Sequence, residues 1–362
     1  MLHKDNNLNL LRLVAALLVL YAHSFDFYGN TPEVFLGFES YGGIGIYVFF
    51  TISGYLIAKS WRYDSSVINF LIKRSLRIFP ALIVVVVVSA FLLGPVFSTL
   101  TAKQYFSNFA FTLYLKNILL YPVFWLPGVL ENARIPNNVN GSLWSLPVEF
   151  FMYLVVMALG FLFKGSRQIY TIVTAMFAMA AVFWCWQDTA PVVVYGTDTK
   201  NIFTSGIFFM IGACYARWGL ERWFSLSGAI VMIMATLLLA PYSSVSKFLL
   251  WVTLPYVALA YGLSKSWLGS LVDKIGDCSY GVYLYAFPVQ QFVLLEFPNI
   301  AYPTYLAVTA ITTLGLGYVS WHLIEKRILK FKPKNKMSPV SGTVEANAAF
   351  SPVVGEKLNN VT

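Results

Sequence analysis

The chain has 362 residues, of which 58% are hydrophobic, 17% aromatic and 11% charged, where a soluble domain carries roughly 25% charged residues. So few charges cannot cover a soluble protein of this size. Apolar runs long enough to cross a hydrocarbon core of about 30 Å as helices recur along most of the sequence, and the expected fold class is an all-α, polytopic membrane bundle. The net charge of +9 does not point to nucleic acid, because no compact basic patch interleaves with aromatics. The lysines and arginines fall between apolar runs and read as topology signals.

In chain order, the N-terminal stretch has a charged start and an apolar body without a small-x-small cleavage site, and reads as an uncleaved first span. Hydropathy and helix breakers place spans at 8–27, 41–60, 78–97, 144–163, 168–187, 201–218, 225–241, 247–264, 279–297 and 302–324. These make ten. Lys116 and Asn117 interrupt the segment 105–125, and Pro122 and Pro127 close it. If it does not span, all the basic residues except Lys103, Lys116, Arg134, Lys200 and Lys247 fall on one side or at helix ends facing it. The positive-inside rule then makes both termini cytoplasmic, and 105–125 is expected to be re-entrant or interfacial. Trp61, Trp144, Trp186, Trp223 and Trp321 suit an aromatic belt. Residues 1–334 form the expected membrane domain. Residues 335–362 are too polar to bury a core and are expected to be a disordered tail.

Cys185, Cys214 and Cys278 form neither a CxxC pair nor a Cys/His cluster, so no disulfide framework or metal site is expected. Of the histidines, His3 lies in the N-terminal tail and His322 at the cytoplasmic end of the last span; His23 alone lies in the outer half of a span. An intramembrane ionisable group is costly and by default faces a wet cavity with a function, although a neutral imidazole satisfied by one neighbour is also possible. Asp26, three residues on, shares its helix face and can orient the ring or mark the helix end. Arg12 precedes His23 by eleven positions, returning to nearly the same face about 16 Å along the axis. Either Arg12 snorkels to headgroups, or the pair lines a groove suited to an extended, anionic, two-ended ligand.

Lys73, Arg74 and Arg77 in KRSLRIFP put positive charge at the cytoplasmic start of the third span, as anchors or as phosphate ligands. In GGIGIYVFFTISGYLI, Gly42, Gly43, Gly45, Ser53 and Gly54 permit close packing of helices or passage of a narrow ligand. In NGSLWSLPVEFFMYL, Pro147 suits a first helical turn and Glu149 the positive end of the helix dipole. That placement sets Glu149 at a depth comparable to His23, where a carboxylate could hold the imidazole tautomer.

Taken together, these segments resemble the acyltransferase-3 family of bacterial membrane proteins over about residues 8–330. Arg12 and His23 match its arginine, ten residues, histidine motif. GIGIYVFFTISGYLI resembles its second-helix signature, KRSLRIFP its arginine pair, SLWSLPVEFFMYL its Trp-Ser-Leu-x-x-Glu segment, and SYGVYLYAFPV and HLIEKR its late signatures. Two positions depart: Tyr47 stands where an aspartate is common, and Ala286 where a histidine is frequent. The family's fused extracytoplasmic SGNH-type domain is not expected here.

The resemblance implies O-acylation, commonly acetylation, of a surface carbohydrate, lipid-linked or free, at the bacterial cytoplasmic membrane. Acyl-CoA, above all acetyl-CoA, would be a co-substrate rather than a bound cofactor. His23 is then the expected base and Glu149 its orienting partner. Arg12, Arg74 and Arg77 would hold CoA phosphates, with Asp26, Ser53 and Tyr283 in support. No GxSxG elbow occurs, and Ser24 points about 100° away from His23 around the helix, so direct transfer is expected rather than a serine acyl-enzyme. A transporter of a glycan or small anion, and an acyl-CoA-gated binding protein without turnover, are the competing classes.

Overall fold

The computed structural model describes residues 6–333 except 32–33, 36, 38, 187–189 and 241–242. His3, the tail 335–362 and the side chains of Cys185 and Trp186 lie outside the described residues. The fold is a helical bundle in which, among the described residues, strands are limited to two hairpins of two-residue strands, Val34–Phe35 with Glu39–Ser40 and Val193–Val194 with Thr197–Asp198. The helices are α1 (Leu8–Tyr28), α2 (Tyr41–Tyr63), α3 (Val67–Val88), α4 (Ser145–Leu162), α5 (Arg167–Trp186) and α6 (Thr199–Trp218). Then come α7 (Leu226–Leu239), α8 (Ser243–Gly262), the short α9 (Trp267–Ile275), α10 (Ser279–Glu296) and α11 (Tyr302–Ser320).

A helix occupies each of the ten expected positions, and among the described residues seven are long and apolar enough to cross a membrane. The helices over 199–218, 226–239 and 279–296 are not among those seven. The segment 105–125 does not span: it breaks into Ala102–Ser107, Phe109–Tyr114 and a 3₁₀ turn at Leu115–Leu119. Asn117 fixes the turn that follows. Its buried amide donates to the Tyr114 and Val123 carbonyls and accepts from the Val123 N–H, so the backbone groups freed from helix are satisfied inside the protein.

The third span begins earlier than expected. Ser66 caps α3 by accepting from the Asn69 N–H, and the buried Asp64 accepts from Asn69 and, at 2.6 Å, from Lys73. Burial alone would raise the Asp64 carboxyl, but these donors hold it below the usual carboxylate range. KRSLRIFP therefore lies inside the helix rather than at its start, and Lys73 is consumed by Asp64. At its other end α3 continues through a π-helical turn at Ser89–Leu93 into Gly94–Phe97, giving one rod over Val67–Phe97. The aromatic belt is only partly realised, since Trp223 is exposed whereas Trp61 is buried against Phe70.

The central helix is α2, which packs on α1, α4, α6 and α8; 67% of its apolar window is buried, against 39% for α1. Its glycines set the spacing. A Cβ on Gly54 would collide with the Phe209 carbonyl of α6, and one on Gly212 of α6 with the Thr51 carbonyl of α2. Both obstacles are backbone, which cannot rotate away. Gly54→Ala should therefore cost at least the 1–3 kcal/mol typical of overpacking, roughly, seen as a lower melting temperature in detergent. An unchanged melting temperature would contradict this packing.

Candidate active site

Three cavities follow one another along the bundle. At the end bearing the α2–α3 turn and the close of α11, a cavity of about 430 Å³ is lined by Asn9, Arg12, Phe49, Ser53, Arg74, Arg77, Glu149, Tyr153, Asp273, Asp277, Tyr280, Trp321 and Lys332, among others. A narrow neck of about 40 Å³ follows, walled by Ile46, Phe49, Phe50, Ser145, Leu146, Glu149, Tyr280 and Tyr283. Toward the opposite end, a cavity of about 320 Å³ holds His23 and Asp26 with Glu39, Tyr47, Trp144, Asn201, Thr204 and Tyr283. Phe49, Glu149 and Tyr280 are shared by the first cavity and the neck, and Ile46 and Tyr283 by the neck and the last cavity.

The basic cavity is organised by Asp277, which precedes α10. Its Oδ2 receives Arg77 at 2.7 Å and Arg12 at 3.4 Å, and Arg77 also reaches Glu325 at 3.2 Å. Burial by itself would raise the Asp277 carboxyl, but Arg77, Arg12 and the Ser279 hydroxyl hold it below the usual range. Glu325 lies in a second π-helical turn, Trp321–Glu325, that continues α11. It is 2% exposed and accepts from Ser320.

Arg74 is different. Its guanidinium lies over the Phe70 and Tyr153 rings at 5.8 and 5.9 Å, its buried Nε has no hydrogen-bond partner, and among the described residues it forms no salt bridge. The expected Arg74/Arg77 pair is thus split: Arg77 is neutralised within the protein, and Arg74 lines the cavity with no salt bridge among the described residues, the Glu149 carboxylate of the same cavity acting on it only through its field.

The other expected residues separate in the same way. His23 and Arg12 share α1 but line different cavities. The His23 ring meets Phe287 edge-on at 5.2 Å, and its Nδ1 lies 3.6 Å from Asp26 Oδ2, within ion-pair range but longer than a hydrogen bond. Glu149 does not orient it: the Glu149 carboxylate accepts from Ser53 at 2.9 Å and from Tyr153 at 2.5 Å, where the neck meets the basic cavity. The reason is geometric. Pro147 and Glu149 sit in the first turns of α4, and the face carrying Glu149 looks toward Ser53 of α2 rather than toward α1.

Tyr283 walls the neck, with its hydroxyl donating to the Ser142 carbonyl and bonded to Ser145, so it shapes the passage rather than offering a free donor. Tyr47, at the aspartate position, stacks on Phe208 at 4.1 Å and donates to Glu39. Ala286 is buried. Sequence reasoning missed Asp277, Glu325, Tyr153 and Asn201. A signal for two of them existed, since Asp277 and Glu325 are carboxylates flanking apolar spans and need partners for the same reason as His23.

The sequence signature of an acyltransferase domain, the acyltransferase-3 type, matches residues 5–322. The chain belongs to the acyltransferase-3 family. It is 33% identical over 333 residues to a protein named O-acetyl transferase of Shigella phage Sf6, covering 91% of this chain and 97% of the phage protein. It is 28% identical to Nodulation protein 10 of Rhizobium leguminosarum bv. viciae, over 90% of this chain and 94% of that protein. Against the peptidoglycan O-acetyltransferase OatA of Listeria monocytogenes it is 28% identical, over 86% of this chain and 58% of the longer relative. No solved structure matches it. As a member of the acyltransferase-3 family with seven helices apolar enough to span, the protein is a multi-pass membrane acyltransferase.

The split of the arginines predicts unequal stability effects within this acyltransferase-3 site. Removing Arg77 leaves Glu325 buried without its cation, so Arg77→Ala should lower stability by roughly 3 kcal/mol. Arg74→Ala removes an unpaired cation and should change it little. Thermal unfolding of the purified variants measures both, and equal losses would refute the distinction.

Proposed function

We propose that the protein transfers an acetyl group from acetyl-CoA, held in the basic cavity, to a carbohydrate hydroxyl in the His23 cavity. The observation carrying this reading is the chain of cavities with shared walls, which joins a cationic chamber to a histidine through a neck fit for a narrow arm. The relatives named as O-acetyl transferase and peptidoglycan O-acetyltransferase favour acetyl and a carbohydrate acceptor. The acceptor's hydroxyl would be presented at the extracytoplasmic face of the cytoplasmic membrane, on a lipid-linked or free glycan.

In this mechanism the CoA phosphates rest on Arg74, while Arg12 and Arg77, paired with Asp277 and Glu325, form the wall of the chamber behind it. The pantetheine arm runs through the neck, where the Glu149 carboxylate can accept an amide N–H while Ser53 and Tyr153 hold it in place. At the far end the hydroxyl oxygen attacks the thioester carbonyl carbon and its proton passes to His23 Nε2. The carbon–sulfur bond then breaks, and the imidazolium returns the proton to the leaving thiolate, giving an ester and CoA. Asp26 faces Nδ1 and favours the tautomer with Nε2 free. The amide of Asn201, on the wall of the same cavity, is a donor for the developing oxyanion.

His23→Ala should abolish acceptor-dependent release of CoA from acetyl-CoA while leaving CoA binding within a few fold of wild type. Near-normal turnover would remove His23 as base. Movement of a solute across vesicles without any thioester cleavage would instead select the transporter reading.

The basic end, with Lys59, Arg62, Lys73, Arg167, Arg217 and the Lys326–Lys332 stretch, is assigned to the cytoplasm by the positive-inside rule. In intact cells an impermeant thiol reagent should label a cysteine placed at Asn137 and spare one at Ser65. The reverse pattern would invert the orientation and with it the side from which the donor arrives.

A further inference from the structure

Beyond the arginines of the family motifs, one more cation reaches the basic cavity. The chain leaves α11 through Lys326, Arg327 and Lys330, exposed as Lys332 is, and makes one 3₁₀ turn at Leu329–Phe331. That turn brings Leu329 and Lys332 onto the cavity wall, while Lys326, Arg327 and Lys330 do not line it. A lysine free at a membrane surface would extend into water or toward headgroups. Lys332, although exposed, sits at the cavity wall within the fields of Arg74, Arg77 and Lys73, opposed by that of Asp277.

The cations around the chamber sort into two kinds. Arg12 and Arg77 are engaged by Asp277 and Glu325, and Lys73 by Asp64. Arg74 and Lys332 have no carboxylate partner among the described residues. Two uncompensated cations at one mouth repel each other unless an anion lies between them. We propose that Lys332 is a donor-binding residue that, together with Arg74, takes a phosphate group of acyl-CoA at the cavity mouth. This rests on the reading of the cavity as the acyl-CoA site and adds a residue that belongs to none of the sequence motifs.

The titration of Lys332 agrees with that role. Crowding by the cavity wall and the fields of Arg74 and Arg77 push its ammonium down to about 8, and a phosphate would restore the charged form. The charge is present below that value and lost as pH rises through it, so wild-type affinity for CoA should fall between pH 7 and pH 9. Lys332→Arg keeps its charge over that range and should not show the fall.

The experiment is CoA binding to the purified full-length protein at pH 7 and at equal folded concentration. Loss of one charge-assisted contact predicts that Lys332→Ala binds CoA about tenfold to a hundredfold more weakly, with Lys332→Arg within a few fold of wild type. Repeating the titration with 3′-dephospho-CoA identifies the phosphate. A penalty that disappears assigns Lys332 to the 3′-phosphate, and one that persists assigns it to the diphosphate. Wild-type affinity in Lys332→Ala would overturn the proposal while leaving the donor cavity standing. Absence of CoA binding by the wild-type protein would remove the donor reading itself.

Discussion

One carboxylate, Asp277, fixes the geometry on which the basic end depends. A guanidinium in an apolar bundle is tolerated only with a partner, and Asp277 serves two, from α1 and α3. Glu325 adds the second bond to Arg77 and ties in the close of α11. Four chain segments distant in sequence therefore meet at one cluster of charges, and apolar packing alone would not fix their rotation so closely. The π-helical turn at Trp321–Glu325 belongs to the same arrangement. The widened turn carries Glu325 inward, where Ser320 and Arg77 receive it.

Arg77 and Arg12 are satisfied internally, and the cations left over, without salt bridges to break, are those able to change partners. Arg74 is the clearest. Its aromatic neighbours, Phe70 and Tyr153, give a modest cation–π attraction of about 0.5–1 kcal/mol, enough to hold a pose but far less than a charged partner provides. A phosphate would meet a preset donor and displace no salt bridge, so little of its binding energy goes into rearranging the protein.

Much of this was legible in the sequence, and the parts that were not share a cause. Helix positions follow from apolar length and breakers, and the non-spanning character of 105–125 follows from Asn117 and the prolines. Hydropathy could not set the start of α3, because Asp64, Ser66, Asn69 and Lys73 form a local cap that extends a helix into polar sequence. Depth along a helix was also readable, which placed Arg12 and His23 at opposite ends of α1. Rotation between helices was not: Glu149 stood at a suitable depth for His23, yet α4 turns it toward Ser53 and Tyr153. Asp277 and Glu325 escaped because carboxylates at span ends look like ordinary boundary residues until their partners are known.

The dimensions of the path bear on the proposed division of donor and acceptor between two chambers. The neck, at about 40 Å³, is far tighter than the chambers on either side, at about 430 and 320 Å³. A linear amide and thioester arm is narrower than a sugar ring, so opening the neck for the arm takes less movement of the helices than opening it for a sugar. Half of the neck's lining, Ile46, Phe49, Phe50 and Leu146, offers no replacement for the hydration of a small ion, and the Glu149 carboxylate at its inner end would repel an anion. On the proposed reading, a pathway built this way would separate a charged nucleotide from a hydrated acceptor while letting their reactive groups meet. That arrangement suits group transfer across a barrier better than transport through it.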